Sequence, residues 1–207
     1  MPQGTTRKGE ATRARIVAGA AEALLSLGIA EATLDDLRAP SGASKSQIFH
    51  YFPGGRDELL TAVARFEAAR AVSALQLKMP PLTTWAAWAA WRHQVLGEYD
   101  RAGVACPLRV LVNDLAPATP GARLLVAEVL RRWHDHLVRG ITEMRAKGEI
   151  RDTLDPDEAA AAIIAAVHGG AAISVVFPAG GYLAAALDTA LAALGPGYRT
   201  ALGPGEE

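Results

Sequence analysis

Leu34-Asp35-Asp36-Leu37-Arg38-Ala39-Pro40-Ser41-Gly42-Ala43-Ser44-Lys45-Ser46-Gln47-Ile48-Phe49-His50-Tyr51-Phe52 reads as two short helices joined by a tight turn. Thr33 stands just ahead with the hydroxyl of an N-cap, and Asp36 follows three residues on. The first helix should run from Leu34 to about Ala39, where Pro40 and Gly42 break it. Ser44 is the next cap, and Gln47 three residues later completes a capping box. The second helix should end near Phe52, before Pro53 and Gly54. A helix-turn-helix unit of this kind places its second helix in the DNA major groove. A helical hairpin inside a bundle has the same pattern, so the stretch alone leaves both readings open.

Helical geometry sorts the second helix into two faces. Ile48 and Phe52 are four apart and should face inward. Ser46, Gln47 and His50 fall on the opposite face, where base edges would lie, and Lys45 sits at the helix start near a phosphate. Gln47 carries the donor and acceptor pair that suits an adenine edge.

Outward from this stretch the chain reads as all-α, with about nine helices. Ile16, Ala20, Leu24 and Leu27 recur at steps of three and four, and Gly28 stands where a left-handed C-cap is expected. A long helix should run from about Arg56 to Met79, ended by Pro80-Pro81. Others are expected at about Thr83–Arg101, Pro107–Leu115, Pro120–Lys147 and Tyr182–Leu194. Asp155-Pro156-Asp157-Glu158 supplies a cap, an N1 proline and an N3 acid for a helix reaching about Phe177. Between Ala159 and Leu187 no Asp, Glu, Lys or Arg occurs, which raises the question of a membrane span. The segment is rich in Ala and Gly, is broken by Gly169-Gly170 and Pro178, and has acidic rather than basic flanks. It reads as a buried helix, a turn and a second helix, and no membrane partner is expected.

Composition narrows the function classes. With 207 residues, half of them apolar and 21% charged, the chain can bury a sizeable core. The formal net charge of -1 excludes a uniformly basic nucleic-acid binder, so any such role needs a local patch. Charge is unevenly placed: Arg7, Lys8, Arg13 and Arg15 oppose only Glu10 in the first twenty residues, while residues 151–207 hold two basic and seven acidic side chains. Arg7 and Lys8 read as a mobile DNA-contacting arm or as solvated tail charges. The single cysteine, Cys106, excludes a disulfide framework, and the first residues lack an apolar secretory segment, so a cytoplasmic protein is expected. Cys106 has no evident base or oxyanion partner in the sequence, and no catalytic constellation converges elsewhere, so the chain does not read as an enzyme. His134 and His136 are two apart on different helix faces, which argues against a zinc pair, and no cofactor is implied.

The stretch Arg15-Ile16-Val17-Ala18-Gly19-Ala20-Ala21, then Gly28, Thr33-Leu34-Asp35-Asp36-Leu37, Ser41 through Phe52 and Asp57-Glu58-Leu59-Leu60 resembles the N-terminal domain of TetR/AcrR-type repressors. The likeness covers roughly the first 65 residues with familiar spacing; beyond them it rests on pattern alone. Phe52-Pro53-Gly54-Gly55-Arg56-Asp57-Glu58-Leu59 and Ala105-Cys106-Pro107-Leu108 look like the LmrA/YxaF-like branch. The resemblance implies a three-helix DNA-binding domain over 1–55 and a ligand-binding and dimerisation domain over 56–195; the Pro/Gly-rich end, 196–207, reads as a frayed tail. The resemblance also implies a homodimer on a palindromic double-stranded operator, released by a small, largely apolar effector. Arg38 stands where the family has a small residue, which predicts a looser contact between the two short helices. Phe49 replaces a common tyrosine and loses its hydroxyl; Tyr51 offers one instead. Arg56 occupies the usual lysine position and suits a phosphate.

The expected DNA-facing residues are therefore Thr33, Ser44, Lys45, Ser46, Gln47, His50, Tyr51 and Arg56. The expected pocket residues are Phe66, Trp88, Trp91, Leu111, Trp133, His134 and His168. Trp85, Trp88 and Trp91 are three apart each and read as plain core or as cavity lining, and His168 as a satisfied core histidine or a polar anchor. Ala162, Ala166, Gly170 and Ser174 form a small-residue seam, and the final helix has Leu187 and Leu191 on its apolar stripe. These six are expected at a two-fold interface, with packing on the chain's own core as the alternative. An all-helical binding protein that has lost specific DNA binding is the rival reading of the whole.

Overall fold

The computed structural model describes residues 7–76, 80–102 and 109–203. Among them there is helix, turn and loop but no strand. Helix α1 spans Arg7–Leu27 and stops at Gly28, whose φ of 76° places it in the left-handed region that glycine tolerates. Ile16, Ala20 and Leu24 form its buried face, whereas Leu27, expected on that face, is exposed in the last turn. Arg7 and Lys8 lie in the exposed first turn of α1, not in an arm ahead of it.

Helices α2 (Leu34–Arg38) and α3 (Lys45–Tyr51) each start with the capping box read from the sequence: Thr33 with Asp36, and Ser44 with Gln47. Between them Pro40 opens a 3-10 turn over Ala39–Ser41, and Gly42 at φ 63° ends it. Close packing fixes this corner on α1, since a Cβ at Gly19 would stand 2.9 Å from the Ser41 nitrogen. Arg38 does not loosen the corner as expected. Its guanidinium bonds Asp35 at 2.7 Å and the Ala43 carbonyl at 3.2 Å, tying α2 to the turn.

Helix α4 covers Gly55–Gln76 and α5 covers Trp85–Ala102. A π-helical stretch, Val110–Leu115, runs through the short turn Ala116–Ala118 into α6, Pro120–Ala146. Helix α7, Pro156–Val176, is capped by Asp155, whose carboxylate accepts from the Asp157 and Glu158 amides. Helix α8 spans Tyr182–Ala192 and α9 spans Gly197–Leu202.

The chain divides into two compact units. One holds the residues through Val72 together with Val110–Glu128; the other holds Ser73–Arg109 and Val129–Glu207. The expected boundary at residue 55 is thus displaced into α4. Leu59, Leu60, Val63 and Ala64 are buried in the first unit, and Thr61 meets Thr119, their hydroxyls 3.3 Å apart. The first turns of α4 therefore complete the core on which the helix-turn-helix rests.

The second unit is built around Trp88, Trp91, Trp133, Leu137, Ile141, Ile163, Val167, Leu187 and Leu191. Helix α7 is long and apolar enough to cross a membrane by composition; a turn at Pro178–Gly180 follows and α8 packs along it as the sequence suggested, but much of α7 is exposed rather than buried as expected. The tail does not fray through Leu202. Tyr198 is fully buried and donates to Asp188 at 2.8 Å, while Arg92 holds both oxygens of the same carboxylate at 2.7 and 2.8 Å.

Candidate functional site

Helix α3 sorts its side chains as its sequence predicts. Ile48 and Phe52 have no exposed surface, and Ser44, Lys45, Ser46, Gln47 and His50 are all exposed. Lys45 lies 3.9 Å from Asp35, with both side chains more than half exposed, so the pair is weak and the ammonium stays available. The Arg38 hydrogen bond and the Lys45 charge hold the Asp35 carboxyl below the usual range. The face therefore carries one exposed cation, two hydroxyls, an amide and an imidazole, a set that fits phosphate and base edges.

Several of these groups are committed within the fold. The Gln47 amide oxygen accepts from the Ser44 amide at 2.9 Å, which leaves only its NH2 to face outward. Its role as a paired donor and acceptor for adenine is thereby reduced to a donor. The Ser44 hydroxyl accepts from the Gln47 amide at 3.2 Å and meets the Ser46 hydroxyl at 3.0 Å. Thr33 bonds Asp36 through both its amide and its hydroxyl. Arg56 points back to the α1–α2 loop, where it donates to the Ala32 and Ile29 carbonyls, so its expected phosphate contact loses most of the guanidinium fork. Tyr51 is half-buried, with its ring edge-on to His50 at 4.8 Å.

Phe49, noted in the sequence only for the hydroxyl it lacks, also belongs to this face. Phe49 is 48% exposed on α3. The spacing was informative, since Lys45 and Phe49 are four apart and share a side of the helix. Exposed here, the ring offers an apolar contact of the kind that thymine methyls accept.

In the second unit four rings form a row. Trp88 and Trp91 meet edge-on at 5.9 Å, Trp91 and Trp133 lie 6.3 Å apart, and Trp133 meets the His168 ring edge-on at 5.7 Å. The indole nitrogens of Trp88 and Trp133 and both His168 ring nitrogens are buried without a hydrogen-bond partner. Each such group left unsatisfied costs about 1–3 kcal/mol. Burial pulls the His168 pKa down to about 4, so its ring is neutral near pH 7. A cavity of about 400 Å³ opens nearby, with Leu96, Ala171, Ser174 and Leu183 among its walls.

Three expected pocket residues do not join this row. His134 points to the surface, its Nε2 3.3 Å from the Asp157 carbonyl. Leu111 is fully buried in the core of the first unit. Phe66, also of the first unit, is partly exposed beneath the Arg70 guanidinium. Cys106 lies outside the described residues. Among the described residues no group of His, Cys, Asp or Glu is placed to hold a metal.

The C-terminal seam also differs from its expected role. A Cβ on Gly170 would stand 2.6 Å from the Leu183 Cα, so the glycine permits contact between α7 and α8 of one chain. Leu187 and Leu191 are fully buried in that same core. Ser174 and Ala166 are half-buried, and of the six only Ala162 is exposed. The free face of α7 is instead Ala161, Ala165, Gly169, Ile173 and Val176, continued on α8 by Tyr182, Ala185 and Thr189, with no charge along it. The alternative weighed from sequence, packing on the chain's own core, holds for Gly170, Leu187 and Leu191.

Comparison with known proteins adds an independent line. Residues 84–190, more than half of the chain, match the family model of the Tetracyclin repressor-like C-terminal domain. An uncharacterized HTH-type transcriptional regulator of Mycobacterium tuberculosis is 27% identical over 153 residues, 71% of this chain and 74% of the relative. A TetR transcriptional regulator from Chloroflexus aurantiacus shares the fold with a TM-score of 0.75 at 23% identity, over 89% of this chain and 94% of that one. SmeT, the repressor of the Stenotrophomonas maltophilia multidrug efflux pump SmeDEF, does so with a TM-score of 0.68 at 20% identity, over 93% and 94%. These matches give no separate support to the LmrA/YxaF-like branch.

Proposed function

The chain belongs to the TetR family of transcriptional regulators, which bind DNA and are not enzymes, and from that premise we propose that it is a ligand-responsive repressor that binds a palindromic operator as a cytoplasmic homodimer. The observation that carries the DNA reading is the division of α3: Ile48 and Phe52 anchor it, and Lys45, Ser46, Gln47, Phe49 and His50 are left to the groove. Lys45 supplies the phosphate contact. His50, Phe49 and the Gln47 NH2 read base edges. Thr33, Ser44 and Arg56 hold the unit's shape more than they touch DNA. The uncharged stripe on α7 and α8 is the surface that a second subunit covers, and two-fold symmetry then pairs two recognition helices on successive major grooves.

Repression and release follow from linkage. An effector held in the second unit shifts the dimer between conformations by its difference in affinity for them. SmeT, which shares the fold, is a repressor, and that supports the same sign here. The test is a gel-shift at moderate salt with the DNA upstream of the protein's own gene. Retardation at concentrations well below those needed for unrelated DNA is expected. Equal affinity for both would leave the rival standing, an all-helical binding protein without specific DNA recognition.

A further inference from the structure

Buried hydrogen-bonding groups without partners dictate what a site accepts. In the second unit the row of rings carries such groups on three helices, Trp88 on α5, Trp133 on α6 and His168 on α7, while the Tyr99 hydroxyl and His136 Nε2 are buried outside the row. Trp88 is fully buried and Trp133 is 3% exposed, and an indole N–H can only donate. Native proteins leave few such donors unpaired. The neutral His168 ring adds a donor and an acceptor.

Charge is absent from the row. Arg92 lies next to Trp91 in sequence, yet its guanidinium grips Asp188, so neither offers a free charge to a ligand. The cavity of about 400 Å³ lies about one helical turn farther along α5 and α7 and is walled also by α8; Trp133 and His168 are not themselves among its lining residues. Ala171 follows His168 by three residues, Leu96 follows Trp91 by five, and both line it. Its size falls within the range of small-molecule sites. Asp100, nine residues beyond Trp91 on α5, is also among its lining residues.

Resting on the reading of the chain as an effector-controlled regulator, we infer that the effector is an uncharged, flat aromatic compound with a carbonyl-type oxygen, and that this oxygen accepts from the Trp133 indole and the His168 imidazole. The aromatic body occupies the cavity against Leu96, Ala171 and Leu183. The nitrogens are sealed from solvent, so the ligand reaches them from the cavity by turning the partly exposed His168 ring. A fixed anion finds no free cation in the row. A cation meets Asp100 among the lining residues, but the indoles offer it N–H donors and no acceptor.

Four probes of one shape test this in the full-length protein without DNA: 9-fluorenone, fluorene, fluorene-9-carboxylate and 9-aminofluorene. By calorimetry fluorenone should bind about tenfold tighter than each of the others, the effect of one well-made hydrogen bond. Its carbonyl stretch should fall in frequency on binding. Trp133→Phe and His168→Phe should each remove most of that preference and leave fluorene affinity unchanged. Equal binding of fluorenone and fluorene, tighter binding of either ion, an unshifted carbonyl band, or no binding of fluorenone overturns the inference. The infrared measurement uses the wild-type chain alone, so the test survives a variant that does not fold. Retardation of upstream DNA by the same preparation is scored separately, so failure of the effector class and failure of the regulator reading give different results.

Discussion

Lys45 illustrates how an exposed charge works at the level of one residue. Its ammonium is 3.9 Å from Asp35 in solvent, a contact too screened to hold it. Lys45→Ala should weaken binding to specific and unrelated DNA alike and lower the salt slope by roughly one unit. An unchanged slope in salt-dependent titrations would remove Lys45 from the phosphate contacts. Gln47 and His50 separate two effects that the sequence merged. Gln47→Ala should cost about 1 kcal/mol of stability as well as specificity, because its oxygen completes the α3 cap. His50→Ala should relax preference at one operator position by about 1–3 kcal/mol and leave stability alone; sequence selection that returns the parental consensus would exclude it from readout. His168 carries a pH signature. Its folded pKa near 4 lies below the unfolded 6.5, so the unfolded chain takes up the proton first as pH falls. Stability from this group is full above about pH 6.5 and is lost progressively down to pH 4, in total about 3 kcal/mol. Urea titrations across that range should show the slope in the wild type and a reduced slope in His168→Leu.

Among elements, the caps were legible because they depend on residues within four positions of one another. Thr33 with Asp36, Ser44 with Gln47, Asp155 with Glu158 and the stop at Gly28 all formed where they were read. What sequence could not carry was the partner across space. A stripe of small residues says that something approaches closely, yet Gly170 meets Leu183 of its own chain. Arg56 looked like a free phosphate ligand until its carbonyl partners, 24 and 27 residues upstream, were in view. The same blindness hid α9. A Pro/Gly-rich end reads as a frayed tail, but Tyr198 is buried and clasped to Asp188. Burial alone would raise the Asp188 pKa; hydrogen bonds from Arg92 and Tyr198 more than offset it and hold the carboxyl below its usual value. Tyr198→Phe should therefore cost about 1 kcal/mol. Asp188→Ala should cost about 2–3 kcal/mol, because it strips the buried Arg92 of its carboxylate. Denaturant midpoints give the ranking, and hydrogen exchange should place the Tyr198→Phe effect in residues 197–202.

At the scale of the whole molecule, the two faces of α7 make opposite predictions. Gly170 faces inward and Ala165 outward, so one substitution on each separates folding from assembly. Gly170→Leu has to push Leu183 away from a 2.6 Å approach, and overpacking of that kind typically costs about 1–3 kcal/mol of the chain's own stability. Ala165 is exposed in the isolated chain, and glutamate is a good helix former, so Ala165→Glu should leave the chain's own fold intact. At a two-fold interface the new carboxylate appears on both subunits and is buried near its own copy, which disfavours association. The expected result is a monomer in light scattering with unchanged helical circular dichroism. Operator affinity should drop sharply, because a lone subunit holds one half-site and the paired grooves lie about 34–36 Å apart. Lys45→Ala weakens binding without touching assembly, so the two losses are distinguished by mass as well as by salt dependence. An Ala165→Glu chain that stays dimeric with full operator affinity would show that the uncharged α7–α8 stripe is not where the subunits meet.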